Sequence, residues 1–257
     1  MKSVVAAIAL LSTGMAAAKF GSVTSGVTHW SDLKPHHVAG HTERQLLNGS
    51  TTALARLDVR GITIDANHAT DSVIVAHKDD EVMLIVKDGV ISVTLEGRRR
   101  LIGPGSIALS LPGDALVVSN PGAAPATYYQ FAYRSRAPMD ITRGRNAGGS
   151  FVVDWNDVPV EKTPTGYRRQ PFDRPTAMYR RFEVHVSTLN PGLMNHAPHT
   201  HTAEEFVLMR SGDVRMFIST PRHDASAGDL IFLASSVLHG GENLTSVPTE
   251  YFAMQGQ

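Results

Sequence analysis

His199-Thr-His201-Thr-Ala-Glu-Glu205, closed by Gly212, is followed downstream by Gly228-Asp-Leu-Ile-Phe-Leu-Ala-Ser-Ser-Val-Leu-His239-Gly-Gly-Glu-Asn243. His199, His201 and Glu205 are all odd-numbered, and even separations on an extended chain place side chains on one face. One strand could therefore aim two imidazoles and a carboxylate at a common point. Glu204 would point the opposite way and is not counted as a ligand. His239 has to arrive on a second strand. Three imidazoles and one carboxylate make a first shell for a divalent metal and leave roughly two of about six octahedral positions open. A structural zinc site is usually four-coordinate, closed and rich in Cys, and this chain has no Cys.

The spacing of these residues resembles the two motifs of the cupin superfamily. His199, His201, Glu205 and Gly212 fit the first motif, with Pro191 and Gly192 one residue further upstream than usual. Gly228, His239 and Asn243 fit the second, with Ala234 and Ser236 where Pro and Gly are customary. The resemblance implies an all-β fold built from cupin-type antiparallel β-barrels (the double-stranded β-helix or jelly roll). It also implies His199, His201, Glu205 and His239 as metal ligands. Manganese, iron, nickel, cobalt, copper and zinc all suit such a shell.

The chain has 257 residues, 24 basic and 24 acidic side chains, and 42% apolar content. This is enough for two small domains with ordinary cores. The zero formal charge gives no reason to expect a nucleic-acid partner. Lys2, the apolar run from Val4 to Leu11 and the small-residue pattern Ala16-x-Ala18 read as a signal peptide over residues 1–18. The run is short for a membrane span. The expectation is a periplasmic or secreted protein with no membrane span in its mature chain.

An internal repeat with a drift from about 125 to about 123 residues argues for duplicated domains rather than a solenoid. Arg44-Gln45 echoes Arg169-Gln170, and Leu57-Asp58-Val59 echoes Phe182-Glu183-Val184. His77 and Glu81 echo His201 and Glu205, Gly89 echoes Gly212, Gly105 echoes Gly228, and Asn120 echoes Asn243. Short β-rich runs separated by turn residues fill both halves. The expected layout is two barrels in tandem, over residues 40–136 and 167–257, with a turn-rich linker at 137–166. Within that linker, Thr142–Ser150 reads as a loop and Phe151–Trp155 as a linking strand. In the first half Val75 and Leu116 stand where His199 and His239 stand in the second. Only His77 and Glu81 remain there, so the first barrel is expected to be degenerate, kept for packing and pairing or as an apolar pocket. A homodimer is compatible with such a layout.

Asp88-Gly89 and Ser211-Gly212 read as hairpin turns. A two-residue loop at Ser211-Gly212 places Val207, Met209, Val214, Met216 and Ile218 on the face of Glu205. These residues would line an apolar, Met-rich cup, or simply form core. His185, Glu183 and Tyr251 are further polar candidates, and His196 is a candidate for the cavity mouth. Metallo-cupins include dioxygenases, decarboxylases, isomerases and hydrolases, so the resemblance implies a metal-dependent enzyme acting on a small organic molecule. The alternatives are a non-enzymatic metal or small-molecule binder, or an enzyme laid out like ureidoglycine aminohydrolase, whose Glu, two-His and Gln ligand set differs from this one.

Overall fold

The computed structural model describes residues 21–67, 72–75 and 78–257. The expected signal segment and His77 lie outside the described residues. Among the described residues no helix is long and apolar enough to cross a membrane.

The strands, in chain order, are β1 (Gly26–Thr28), β2 (His36–Val38), β3 (His41–Gly49), β4 (Leu54–Ile64), β5 (Ser72–Val75), β6 (Glu81–Asp88), β7 (Ile91–Leu95), β8 (Arg98–Ile102), β9 (Ile107–Ser110), β10 (Ala115–Ser119) and β11 (Ala126–Ser135). They continue as β12 (Phe151–Val153), β13 (Glu161–Thr163), β14 (Gly166–Arg174), β15 (Phe182–Leu189), β16 (Glu204–Ser211), β17 (Asp213–Ile218), β18 (Arg222–Ser226), β19 (Leu230–Leu233), β20 (His239–Glu242) and β21 (Thr249–Gly256). Each half forms a jelly roll from one seven-stranded sheet and one smaller sheet. The large sheets run β12-β9-β6-β11-β4-β3-β2 and β1-β19-β16-β21-β15-β14-β13, and the small ones β5-β10-β7-β8 and β18-β17-β20. All named strand pairs are antiparallel.

Alternation along the strands gives each large sheet two apolar faces. In β6, Val82, Leu84 and Val86 fill the lumen of the first barrel, while Met83 and Ile85 join the layer between barrels. In β16, Val207 and Met209 fill the second lumen, while Phe206 and Leu208 meet the same inter-barrel layer. The two large sheets thus pack back to back over Leu54, Leu57, Phe131, Phe182, Phe206 and Phe252.

Two turn expectations are corrected. β6 pairs with β9 and β11, not β7; β16 pairs with β19 and β21, not β17. Gly89 and Gly212 therefore carry the chain from one sheet to the other rather than closing hairpins. Both have positive φ, 75° and 69°. A Cβ at Gly212 would lie 2.9 Å from the Pro248 carbonyl oxygen, so the crossing is tight on two counts. Part of the expected loop at 142–150 is also corrected, because Ile141–Asn146 is a short helix, α1. Asp140 caps it by accepting a 2.8 Å hydrogen bond from the Arg143 N–H.

The linker is no mere spacer. β12 adds to the first barrel beside β9, and β1 adds to the second barrel beside β19. A 3-10 turn carrying a tryptophan follows each, Trp30–Asp32 and Trp155–Asp157. Trp30 lies against Gly228 and Trp155 against Gly105, each filling the space a Cβ would take. Arg44 and Lys87 stack on Trp30, and Arg169 and Arg210 on Trp155, contacts of about 0.5–1 kcal/mol each. Val27-Thr-His-Trp30-Ser-Asp32 and Val152-Val-Asp-Trp155-Asn-Asp157 are thus a further stretch of the repeat.

Candidate metal centre

His199 and His201 stand on the approach to β16, not on the strand itself, and Glu205 is its second residue. His199 and His239 are locked as an antiparallel bridge, with both N–H···O bonds at 3.0 Å. One ring nitrogen from each of His199, His201 and His239 lies within 4.8 Å of the others. Glu205 completes the group: its Oε2 is 3.1 Å from His201 Nε2 and 3.5 Å from His239 Nε2.

The ring orientations follow from local backbone. His201 Nδ1 donates to the Ala203 carbonyl at 2.8 Å, and His239 Nδ1 donates to the Val237 carbonyl at 2.9 Å. Each bond fixes the tautomer and turns Nε2 toward the shared centre. His239 Nε2 is buried without a hydrogen-bond partner. An orphaned buried imidazole nitrogen among two further imidazoles and a carboxylate fits a divalent cation of the transition series.

The protonation balance reflects the crowding. Burial pushes the Glu205 carboxyl up, but the hydrogen bond from His201 and the charge of the neighbouring imidazoles outweigh it and hold it at about 2. The Glu205 hydrogen bond raises His201, while burial and the neighbouring imidazoles lower His199.

Val207, Met209, Val214, Met216 and Ile218 form a buried apolar floor with Ile231, Leu233, Tyr251 and Ala253. His196 packs edge-on against His199, with ring centroids 4.2 Å apart, and its Nδ1 donates to the Ala197 carbonyl. It lines a cleft of about 530 Å³ that opens on the cluster, together with His199, Glu205, His185, Tyr251, Gln255, Asn195 and Arg168. Glu183 stands behind this wall, 3.2 Å from His185 Nδ1.

Three of these groups, Gln255, Asn195 and Arg168, lie outside the residues of the two sequence motifs. Gln255 donates to Glu205 Oε2 at 3.2 Å. Asn195 Oδ1 accepts from the Gly241 N–H at 2.9 Å and ties the approach segment to β20. Arg168 enters from β14. Gln255 shares the parity of Tyr251 and Ala253 on β21, so alternation alone could have found it; Arg168 had no such signal.

Residues 185–254 match the family described as Cupin domain, and residues 60–163 match that described as AraC-like ligand binding domain. The chain is a two-domain cupin. Its whole fold is similar to that of protein YlbA from E. coli (TM-score 0.70, 16% identity, 90% of each chain covered). It is similar too to AerE from Microcystis aeruginosa (0.66, 12%, 88% of this chain and 97% of that one). The Lactobacillus farciminis oxalate decarboxylase formate complex is a third such structure (0.69, 14%, 93% and 88%). A comparison of the sequence with curated proteins gives no match.

The duplication also corrects one equivalence. Glu205 pairs with Leu233, and Val82 pairs with Ser110. With Gly89 matched to Gly212 and Gly105 to Gly228, Val82 occupies the place of Glu205 and Glu81 the place of Glu204. Glu81 faces the inter-barrel layer, where its carboxylate accepts from the Tyr133 hydroxyl at 2.6 Å and the Ala177 N–H at 3.0 Å. Glu204 does the same, accepting from the Thr51 hydroxyl at 2.5 Å and the Ala53 N–H at 3.1 Å. The described part of the first barrel therefore has Val82 and Leu116 where the second has Glu205 and His239.

Proposed function

We propose that this cupin is an exported, metal-dependent protein that holds one divalent transition metal through His199, His201, Glu205 and His239 and acts on a small organic molecule. The observation that carries this reading is the convergence of three imidazoles and Glu205, with the buried His239 Nε2 left without a protein partner. A metal in such a shell supplies Lewis acidity toward a carbonyl or carboxylate oxygen, or a site for dioxygen. The chain does the rest. Backbone carbonyls at Ala203 and Val237 keep two imidazoles in the ligating tautomer, and Gln255 orients Glu205. The apolar floor keeps bulk water from the inner side, so a substrate has to enter through the cleft bordered by His196 and Tyr251.

Several structurally similar chains are oxalate decarboxylases, one described with Mn(II) centres. This makes manganese the first metal to try and a decarboxylase acting on an organic acid the first activity to assay. The second reading is a non-catalytic ligand binder, favoured by the AraC-like match over 60–163. Against it, the cleft lies at the intact histidine cluster, while the first lumen is packed with buried Ile, Val and Leu side chains.

The decisive experiment is elemental analysis of protein from its own host, beside His201→Ala and His239→Ala variants. One metal per chain in the wild type and none in either variant is the expected result. A His239→Ala protein that keeps its metal would refute the ligand set. Water-proton relaxation of the Mn(II)-loaded protein then separates enzyme from binder, because a centre without exchangeable water cannot admit a substrate.

A further inference from the structure

Among the described residues, Arg168 is the only guanidinium lining the cleft at the histidine cluster. It pairs with Ser187 across β14 and β15, Ser187 pairs with Tyr251, and Tyr251 with Met209, so its backbone lies in the Met209 row of the sheet. Its side chain runs to another row. Nη2 donates to Glu183 Oε1 at 2.7 Å and Gln170 Oε1 at 2.5 Å. Glu183 pairs with Gln255, and Gln255 with Glu205. The guanidinium is thus drawn toward the level of the metal-ligating carboxylate.

Only one of its three nitrogens has a protein partner among the described residues. Nε is buried and has none. Glu183 is itself shared with Arg181 and His185, so it does not fully neutralise Arg168. A guanidinium that lines the cleft and is held through one nitrogen, with N–H groups left without a partner, is suited to receive a carboxylate.

We propose that Arg168 is the anion-binding residue of the cleft, and that the natural ligand is an organic acid with a carboxylate set apart from its metal-binding end. This rests on the metal-centre reading above. Glu183 stands two strands from Glu205, about 10 Å at the usual spacing between neighbouring strands. A two-carbon diacid is too short to bridge such anchors, whereas a longer diacid or keto acid can reach both.

The test compares glutarate, oxalate and butyrate by calorimetric titration of Mn(II)-loaded wild type, Arg168→Gln and Arg168→Lys, with metal content measured on each sample. In the wild type, glutarate should bind about tenfold or more tightly than butyrate, and more tightly than oxalate. Arg168→Gln should erase the glutarate advantage while keeping one metal per chain, and Arg168→Lys should restore part of it. A glutarate advantage that is absent in the wild type, or that survives in Arg168→Gln, overturns the proposal. Absence of metal from the wild type would instead defeat the metal-centre reading. The titrations then run on metal-free protein, where carboxylate binding lost in Arg168→Gln supports the clamp and binding indifferent to it refutes the clamp.

Discussion

Glu205→Gln in the metal-free protein probes how the histidine cluster is balanced. The carboxyl falls from an ordinary 4.5 to about 2 in the folded chain. At about 1.4 kcal/mol per pH unit this displacement is worth about 3 kcal/mol. The side chain is almost fully buried, so solvent screens little of it. A carboxyl lowered on folding stabilises above its unfolded value of 4.5 and loses that contribution as pH falls toward 2. His201 has the opposite sign. Raised from 6.5 by Glu205, it stabilises below 6.5 and loses that contribution as pH rises through its folded value. The pair therefore contributes most between 4.5 and 6.5. Urea unfolding of metal-free wild type and Glu205→Gln should show the widest gap, about 3 kcal/mol, in that window, narrowing on either side. A gap that stays flat across the range, or widens toward acid, would refute the assignment. Metal loading should follow a different slope, weakening as the imidazoles protonate, because ligation needs their Nε2 lone pairs.

Other expectations concern the frame around the centre. Thr51→Val leaves the buried Glu204 carboxylate without its hydroxyl donor; a loss of about 1–3 kcal/mol by denaturant unfolding is expected, with metal content unchanged. Gly105 has φ 90° and abuts the Trp155 ring, so Gly105→Ala should cost at least about 2 kcal/mol and alter Trp155 fluorescence. Glu81→Gln should leave metal at the wild-type level, since Glu81 faces Tyr133 and Ala177; loss of metal in that variant would reinstate Glu81 as a relic ligand.

The jelly-roll fold and the convergence of His199, His201, Glu205 and His239 were legible in the sequence, but the strand pairings that bring them about were not. Parity separated Glu204 from Glu205, and the structure puts one carboxylate against Thr51 and the other against His201. The same parity argument placed Val207, Met209, Val214, Met216 and Ile218 on one face, although the hairpin it assumed does not exist. The outcome survived because β16 and β17 belong to two sheets of the same barrel, and their inward faces meet across the lumen. Glu81 was misaligned by one residue, because matching it with His77 to the ligand motif ignored the 123-residue offset of the glycines. One residue on a strand reverses the face. The exchanged strands were missed for another reason. Three-residue strands carry little periodicity, and their pairing partners lie in the other half of the chain.

That exchange explains why a barrel lacking two of the ligand positions persists. β1 covers the β19 edge of the sheet that carries Glu205, and β12 covers the β9 edge of its neighbour, so neither half closes its own large sheet and each would expose an unpaired edge alone. The carboxylate bonds run the same way. Glu204, on the strand that bears Glu205, receives its hydrogen bonds from the Thr51–Leu54 turn of the first barrel, and Glu81 receives an N–H bond from Ala177 of the second. Adjacent residues on β16 therefore face the histidine cluster and the partner barrel. Any shift of that strand against the first barrel moves Glu205 with it. The first barrel thereby fixes the depth at which the second presents its carboxylate.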